Sequence, residues 1–205
     1  MATTRHEVGW KLVGYSAAVL VALAAALLAI YGTESAGVRV IIRATARISV
    51  VLFCAAFAAS SLARRWPSPA TRWLLLNRRY VGVSFALSHA LHLAAILTLL
   101  RIDPDFHISV ATAIGGGLAY VFIFAMAATS FDRAAAWLGP VAWRRLHKMG
   151  GYYIWVIFFQ SYAPRAAIES IWYLPLVFLL VTVLGLRLTS SHVRRRSAVA
   201  VSSMS

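Results

Sequence analysis

Histidines inside apolar segments are the residues of this chain best suited to chemistry. His89 and His92 lie three residues apart in one apolar run, so a helix places them on one face. His147 begins a second run, and Gln160 follows it thirteen residues later. Imidazoles projecting from neighbouring helices are the ligands that a b-type haem uses. Polar contact between helices is the alternative. We favour that alternative for His89 and leave both interpretations open for His92 and His147.

Arginines at one edge of another apolar run are candidate partners for a bound anion. Arg39, Arg43 and Arg47 recur every four residues, which places them on one stripe of a helix. An arginine at the membrane edge needs an anion or a water-filled cavity. Haem propionates would supply two carboxylates for Arg43 and Arg47. Snorkelling of the side chains to lipid phosphate explains the same pattern equally well.

The composition indicates which kind of element must position these residues. Of the 205 residues, 61% are hydrophobic and 13% are charged, and the mean hydropathy is +0.76. A membrane-spanning helix needs roughly 20 consecutive apolar residues, and the chain contains several such stretches. The sequence therefore predicts an all-α, integral membrane bundle of six transmembrane helices in the lipid bilayer. The predicted spans are 10–31, 40–63, 80–100, 108–130, 145–163 and 170–189.

The distribution of basic residues predicts the orientation of these spans. Alternate connections and the two termini hold fifteen of the 20 Lys and Arg residues, and the remaining connections hold five. Because Lys and Arg hold loops on the cytoplasmic side, both termini are predicted to be cytoplasmic, in a multi-pass protein of the inner (plasma) membrane. The first apolar run is long enough to be a retained helix rather than a cleaved signal peptide. The net charge of +14 follows this pattern and does not indicate nucleic-acid binding.

Two segments carry a resemblance to a known family. RRYVGVSFALSHALHL (78–93) and WRRLHKMGGYYIWVIF (143–158) resemble the two signatures of the ferric reductase-like transmembrane domain superfamily. Within it the chain is similar, as a divergent member, to the haem-binding membrane subunit of the bacterial methionine sulfoxide reductase system. The resemblance implies three regions: a first helix in 1–34, the ferric reductase-like domain in 35–190, and a short cytoplasmic tail in 191–205.

The resemblance also implies positions for haem ligands in two layers across the membrane. His92 falls at the outer position of the third span and His147 at the inner position of the fifth. Gln160 and Arg78 stand where their partner histidines are expected. His92 lies about twelve residues into its predicted span and His147 about two residues into its own. At 1.5 Å per helical residue the two histidines differ in depth by roughly 15 Å, so they cannot bind one iron together.

Three interpretations of the site follow. Haem lies in the outer layer on His92 with Gln160 at its open side, or in the inner layer on His147 with Arg78 or Arg79 facing a propionate. In the third, the fold is kept and the cofactor is lost.

The resulting hypothesis is a haem b protein that transfers electrons across the membrane. No dinucleotide-binding fingerprint follows any strand pattern, so we expect no flavin or nicotinamide domain in this sequence. The electron donor would be a separate cytoplasmic flavoprotein or a quinol, and the acceptor would lie outside the cytoplasm. A haem-free scaffold or partner subunit with the same fold is the first alternative. A small-molecule carrier that uses His89, His92 and the arginine stripe is the second.

Overall fold

Helices make up the regular structure of this chain. The computed structural model describes the backbone of residues 2–202 and the side chains of residues 9–189. The helices are α1 (Ala2–Tyr31), α2 (Ser35–Arg65), α3 (Pro69–Ile102), α4 (Val110–Ala128), α5 (Asp132–Ile168) and α6 (Leu174–Ser202). A 3₁₀ turn, Ile171–Tyr173, precedes α6. No strand occurs in this described range, so the predicted all-α class is confirmed.

Five of the described helical segments are long and apolar enough to cross a membrane. They belong to α1, α2, α3, α4 and α6, and α5 is not among them. The apolar part of α5 includes Tyr152, Tyr153, Gln160 and Arg165, whose polar groups lower its hydropathy. A multi-pass membrane protein is therefore supported, while a sixth crossing by α5 stays a prediction.

The helices of the central pair, α2 and α3, extend beyond the predicted spans. α3 begins at residue 69 rather than 80 because local signals start it there. Ser68 accepts a hydrogen bond from the Thr71 backbone N–H at 3.2 Å, and Thr71 Oγ1 accepts one from the Ser68 N–H at 3.0 Å. Pro69 occupies the first turn, where its missing N–H costs no helical hydrogen bond. These caps act on the backbone and do not require apolar side chains.

A buried hydroxyl seam joins α2 to α3. Ser49 Oγ donates to Ser88 Oγ at 2.9 Å, and Ser88 Oγ also contacts the Thr45 carbonyl at 3.2 Å. All three residues are buried. Small side chains let two helices approach closely, and their hydroxyls satisfy one another where no water reaches. The seam therefore fixes the register of α2 against α3.

The aromatic core lies beside this seam. Phe53 and Phe57 of α2 stack at 5.2 Å between ring centroids, and Phe53 contacts Phe158 of α5 at 5.4 Å. Phe85 of α3 lies 5.6 Å from Phe53. Buried aromatic pairs of this geometry contribute about 0.5–1.5 kcal/mol each beyond the area that they bury. The core thus ties α5 to the α2–α3 pair.

A break at Gly139 divides α5 into two helical segments. Gly139 has φ 77° and ψ 159°, a conformation that a side chain would strain, and Pro140 follows it. The first segment, 132–138, is therefore free to run in a different direction from the second. Trp137 within it is 84% exposed. Only the second segment packs into the aromatic core.

The connections define two ends of the bundle. The basic end comprises connections 66–68 and 129–131 and is named for the basic residues in the adjoining helix turns, among them Arg64, Arg65 and Arg133. The acidic end comprises connections 32–34, 103–109 and 169–170, which contain Glu34, Asp103, Asp105 and Glu169. At the acidic end Arg39 forms an ion pair with Asp103 at 2.8 Å, and this hydrogen bond lowers the pKa of the Asp103 carboxyl. The side chains of Arg5, Arg194, Arg195 and Arg196, which enter the charge count, lie outside the described residues.

Candidate functional site

A cavity of about 410 Å³ opens among α2, α3, α4, α5 and α6 near the basic end of the bundle. We call it the basic cavity. Small-molecule sites in proteins typically enclose about 300–1,000 Å³, so its size suits a ligand rather than a single water. It is lined by Phe53, Ala56, Phe57, Leu75, Leu76, Arg78, Arg79, Gly82, Phe85, Ile123, Met126, Ala127, Thr129, Ser130, Asp132, Ala135, Trp143, His147, Gly151 and Arg187.

His147 is the histidine in the wall of the basic cavity. Its ring stacks on Trp143 with 4.1 Å between centroids and an interplanar angle of 28°. The Trp143 indole N–H donates to the Thr129 carbonyl at 3.0 Å, which fixes the stack against the end of α4. His147 Nε2 lies 3.3 Å from Thr129 Oγ1, a long and therefore weak contact. A neutral imidazole held this way keeps a nitrogen lone pair that a metal can use.

Three guanidinium groups line the same cavity. Arg187 donates to the Phe57 carbonyl at 2.9 Å and lies 4.1 Å over the Phe57 ring. Arg79 pairs with Asp132 at 2.6 Å, while its buried Nε has no hydrogen-bond partner. Arg78 has no hydrogen-bond or ion-pair partner among residues 9–189. Three cations face one carboxylate in this wall, so the basic cavity favours an anionic ligand.

Glycine leaves part of the cavity wall open. A Cβ built on Gly82 meets no atom within 4 Å, and Gly82 lines the cavity. A Cβ on Gly151 would lie 3.4 Å from the Phe57 ring. Any larger residue at position 82 would therefore place its side chain in the free space. Glycine at this position keeps room for a flat or bulky ligand.

The chemistry of this donor set fits a b-type haem. His147 offers one imidazole nitrogen, and haem iron is held by one or two such axial ligands. Arg78 and Arg187 are free of carboxylate partners in the described part of the chain and can bind propionates. Trp143 and Phe57 supply aromatic surface. Groups of three or more His, Cys, Asp or Glu that would hold a bare metal ion are absent from the described residues.

The second group of predicted ligands lies between α2 and α3, nearer the acidic end. His92 Nδ1 lies 3.0 Å from the Ile42 carbonyl, to which it donates, and 3.1 Å from Thr45 Oγ1. His89 stacks on His92 with 5.1 Å between centroids. The buried Nδ1 of His89 has no hydrogen-bond partner, and neither has the buried hydroxyl of Tyr120, whose ring lies 5.0 Å away.

The structure does not bring Gln160 to this second group. Gln160 is exposed, whereas Phe158, two positions earlier on α5, contacts the His89 ring at 5.6 Å. Two residues turn a helix by about 200°, so the two side chains point to opposite sides. The expected outer set of His92 with Gln160 is therefore not assembled, whereas His147 and Arg78 line one cavity.

The arginine stripe is also separate from the basic cavity. Arg43 and Arg47 are exposed on α2. Arg43 Nε donates to the Arg39 carbonyl at 3.2 Å, and the Arg47 guanidinium lies 5.8 Å from the centre of the Tyr173 ring. These contacts do not join Arg43 or Arg47 to His92, so they do not place either arginine as a propionate partner for a haem on His92.

Arg187 and Gly82 are the site residues that sequence reasoning missed. Arg187 was counted only as a charge that sets orientation, and it reaches the Phe57 carbonyl across 130 positions of the sequence. No local pattern encodes so distant a contact. Gly82 lies inside the first signature segment, but its role depends on the space beside it rather than on its neighbours in sequence.

Searches of protein-family models, curated proteins and solved structures found no match for this chain. The likeness to the ferric reductase-like superfamily therefore rests on the two sequence segments alone.

Proposed function

We propose that this chain is a haem b protein that transfers electrons across the inner membrane, with the haem in the basic cavity. The observation that carries the proposal is the convergence of His147, Arg78 and Arg187 on one ligand-sized space. The inner interpretation, with His147 as the iron ligand, is favoured over the outer one because Gln160 is exposed.

Each residue of the cavity has a distinct role in this proposal. His147 would hold the haem iron through one ring nitrogen, and its stack on Trp143 sets the plane of the ring. Arg78 and Arg187 would bind the two propionates and orient the bound group. Phe57 and Phe85, which line the cavity, would exclude water from the bound group. A bound b-type haem supplies a one-electron carrier whose potential these neighbours tune.

A row of aromatic rings supports electron movement away from the cavity. Phe85 lines the basic cavity, and its ring centroid lies 5.4 Å from that of His89. His89 in turn stacks on His92 at 5.1 Å. The row extends from the basic end toward the acidic end of the bundle. In this proposal it gives His89 and His92 a part in the outward path without making them iron ligands.

The donor and acceptor are separate molecules in this proposal. A cytoplasmic flavoprotein or a quinol would deliver electrons, and an acceptor outside the cytoplasm would receive them. The chain is then the membrane component of an oxidoreductase system.

The first test is a spectrum of the purified protein. We expect the dithionite-reduced minus oxidised difference to show a b-type haem, and a pyridine haemochrome assay to give about one haem per chain. A featureless spectrum from protein expressed with ample haem would reject the electron-transfer proposal. It would leave the haem-free scaffold, which the exposed Gln160 favours as the second candidate.

We further propose six crossings with both termini in the cytoplasm, so that the basic end faces inward. The charge distribution supports this orientation. In a Cys54→Ala background, an impermeant thiol reagent applied to intact cells should label His107→Cys at the acidic end. Arg72→Cys at the basic end should react only after the cells are opened. Labelling of Arg72→Cys in intact cells would contradict this orientation and place the basic end outside the cytoplasm.

A further inference from the structure

The three arginines of the α2 stripe differ in their partners. Arg39 is paired with Asp103 at 2.8 Å, and Arg43 donates to a backbone carbonyl. Arg47 has no carboxylate within ion-pair distance in the described range, and its contact is the face of Tyr173. Among the described residues neither Arg43 nor Arg47 has a carboxylate partner, and Arg47 is the member of the stripe without a hydrogen bond to the protein.

Helix length gives the depth of Arg47 for a bilayer whose edge lies at Arg64. α2 has 31 residues and is therefore about 46 Å long, which exceeds the roughly 30 Å of a hydrocarbon core. If Arg64 marks one edge of the core, about 20 residues back the other edge falls near Ala44. Arg39 and Arg43 then lie outside the core, and Arg47 lies about one turn inside it. A guanidinium at that depth needs an anion or a water-filled cavity, and its side chain is long enough to reach an anion at headgroup level.

A cleft of about 780 Å³ begins at Arg47 and runs between α2 and α6. Ile48, Val51 and Leu52 form one apolar face of α2 along it, and Leu176 of α6 lies opposite. Arg47 is the charged residue in this lining. The cleft thus combines a cationic end with an apolar floor that continues toward the middle of the bilayer.

The rim of the cleft suits a lipid headgroup. Trp172 is 83% exposed at the level of Arg47, where interfacial tryptophans occur in membrane proteins. Ser170 Oγ accepts a weak hydrogen bond from the Trp172 N–H at 3.4 Å, which leaves its hydroxyl hydrogen free to donate. The rim therefore offers a guanidinium and a hydroxyl, both of them donors to a phosphate.

We propose that this cleft binds an anionic phospholipid, with its phosphate on Arg47 and one acyl chain along Ile48, Val51 and Leu52. The depth of Arg47 and the apolar floor favour a lipid over a free anion. The uncompensated charge favours an anionic over a zwitterionic headgroup. This site lies at the acidic end, away from the basic cavity, and it does not depend on haem.

The test is native mass spectrometry of the delipidated protein titrated with dioleoylphosphatidylglycerol. We expect Arg47→Gln to weaken binding about fivefold, the factor for one basic residue near an anionic surface. The matched control Arg43→Gln, one turn earlier on the same stripe, should bind like the wild type. Val51→Trp, which fills the apolar floor and keeps the charge, should also weaken binding.

Other outcomes would overturn the proposal. Equal binding of the lipid by Arg47→Gln and by the wild type would show that the guanidinium does not bind the phosphate. Equal binding of dioleoylphosphatidylcholine would remove the preference for an anionic headgroup. Competition by inorganic phosphate at the same concentration as the lipid would show an anion site without an acyl groove. Because Val51→Trp retains all charges, it tests the cleft even if Arg47→Gln fails to fold.

Discussion

His147→Ala is expected to eliminate the b-type haem spectrum, whereas His92→Ala should retain it. His147 supplies the imidazole in the wall of the basic cavity. Loss of an axial ligand removes more affinity than the 10–100-fold typical of its supporting partners, so haem content should fall to less than about a tenth of the wild-type value. The pyridine haemochrome assay on protein purified in mild detergent measures this change.

Controls separate ligation from folding in this experiment. Circular dichroism and size-exclusion chromatography should show the same helical monodisperse protein for both variants. A His147→Gln variant with the wild-type haem content would contradict ligation by this residue. Loss of haem in His92→Ala together with retention in His147→Ala would move the site to the α2–α3 interface, the outer interpretation of the sequence.

Gly82→Phe is expected to block the basic cavity and leave the bundle intact. The added ring would enter open space, since a Cβ at position 82 meets nothing within 4 Å. Phenylalanine is also a better helix former than glycine, by a few tenths of a kcal/mol. We therefore expect haem content to fall at least about tenfold, with unchanged or slightly higher thermal stability. The haemochrome assay and a thermal unfolding scan measure the two quantities.

Gly185→Phe is the matched control for this substitution. Gly185 lies on the exposed side of α6, and a Cβ there also meets nothing within 4 Å. It does not line the basic cavity. This variant should retain its haem. If Gly82→Phe also retained a full complement of haem, the cofactor would have to lie elsewhere in the bundle.

The helices follow from the sequence because apolar length is a local property. Runs such as 10–31 and 170–189 are apolar over a full membrane thickness; α1 contains the first, and the 3₁₀ turn with α6 covers nearly all of the second. The ends of the helices were predicted less accurately. α2 starts at Ser35, five residues before the predicted span, and Arg39 in this additional part pairs with Asp103 at 2.8 Å.

The site was only partly predictable because its geometry depends on distant segments. His147 and Arg78 were named from short motifs, and they line one cavity. The outer interpretation placed Gln160 at the open side of a haem on His92, yet Gln160 is exposed. The reason is that Phe158 occupies the inward position and packs on His89. Which of two helix faces turns inward is decided by packing, and spacing alone cannot decide it.

The Gly139 break has a consequence for how the basic cavity is reached. Asp132 and Ala135, in the short segment before the break, line the cavity, and Asp132 is held to Arg79 at 2.6 Å. The Asp132 side chain is 71% exposed, so salt screens this contact and weakens it. Rotation about Gly139 would swing the segment aside without disturbing the aromatic core. Access to the cavity would then depend on movement of this short segment rather than on unfolding of the bundle.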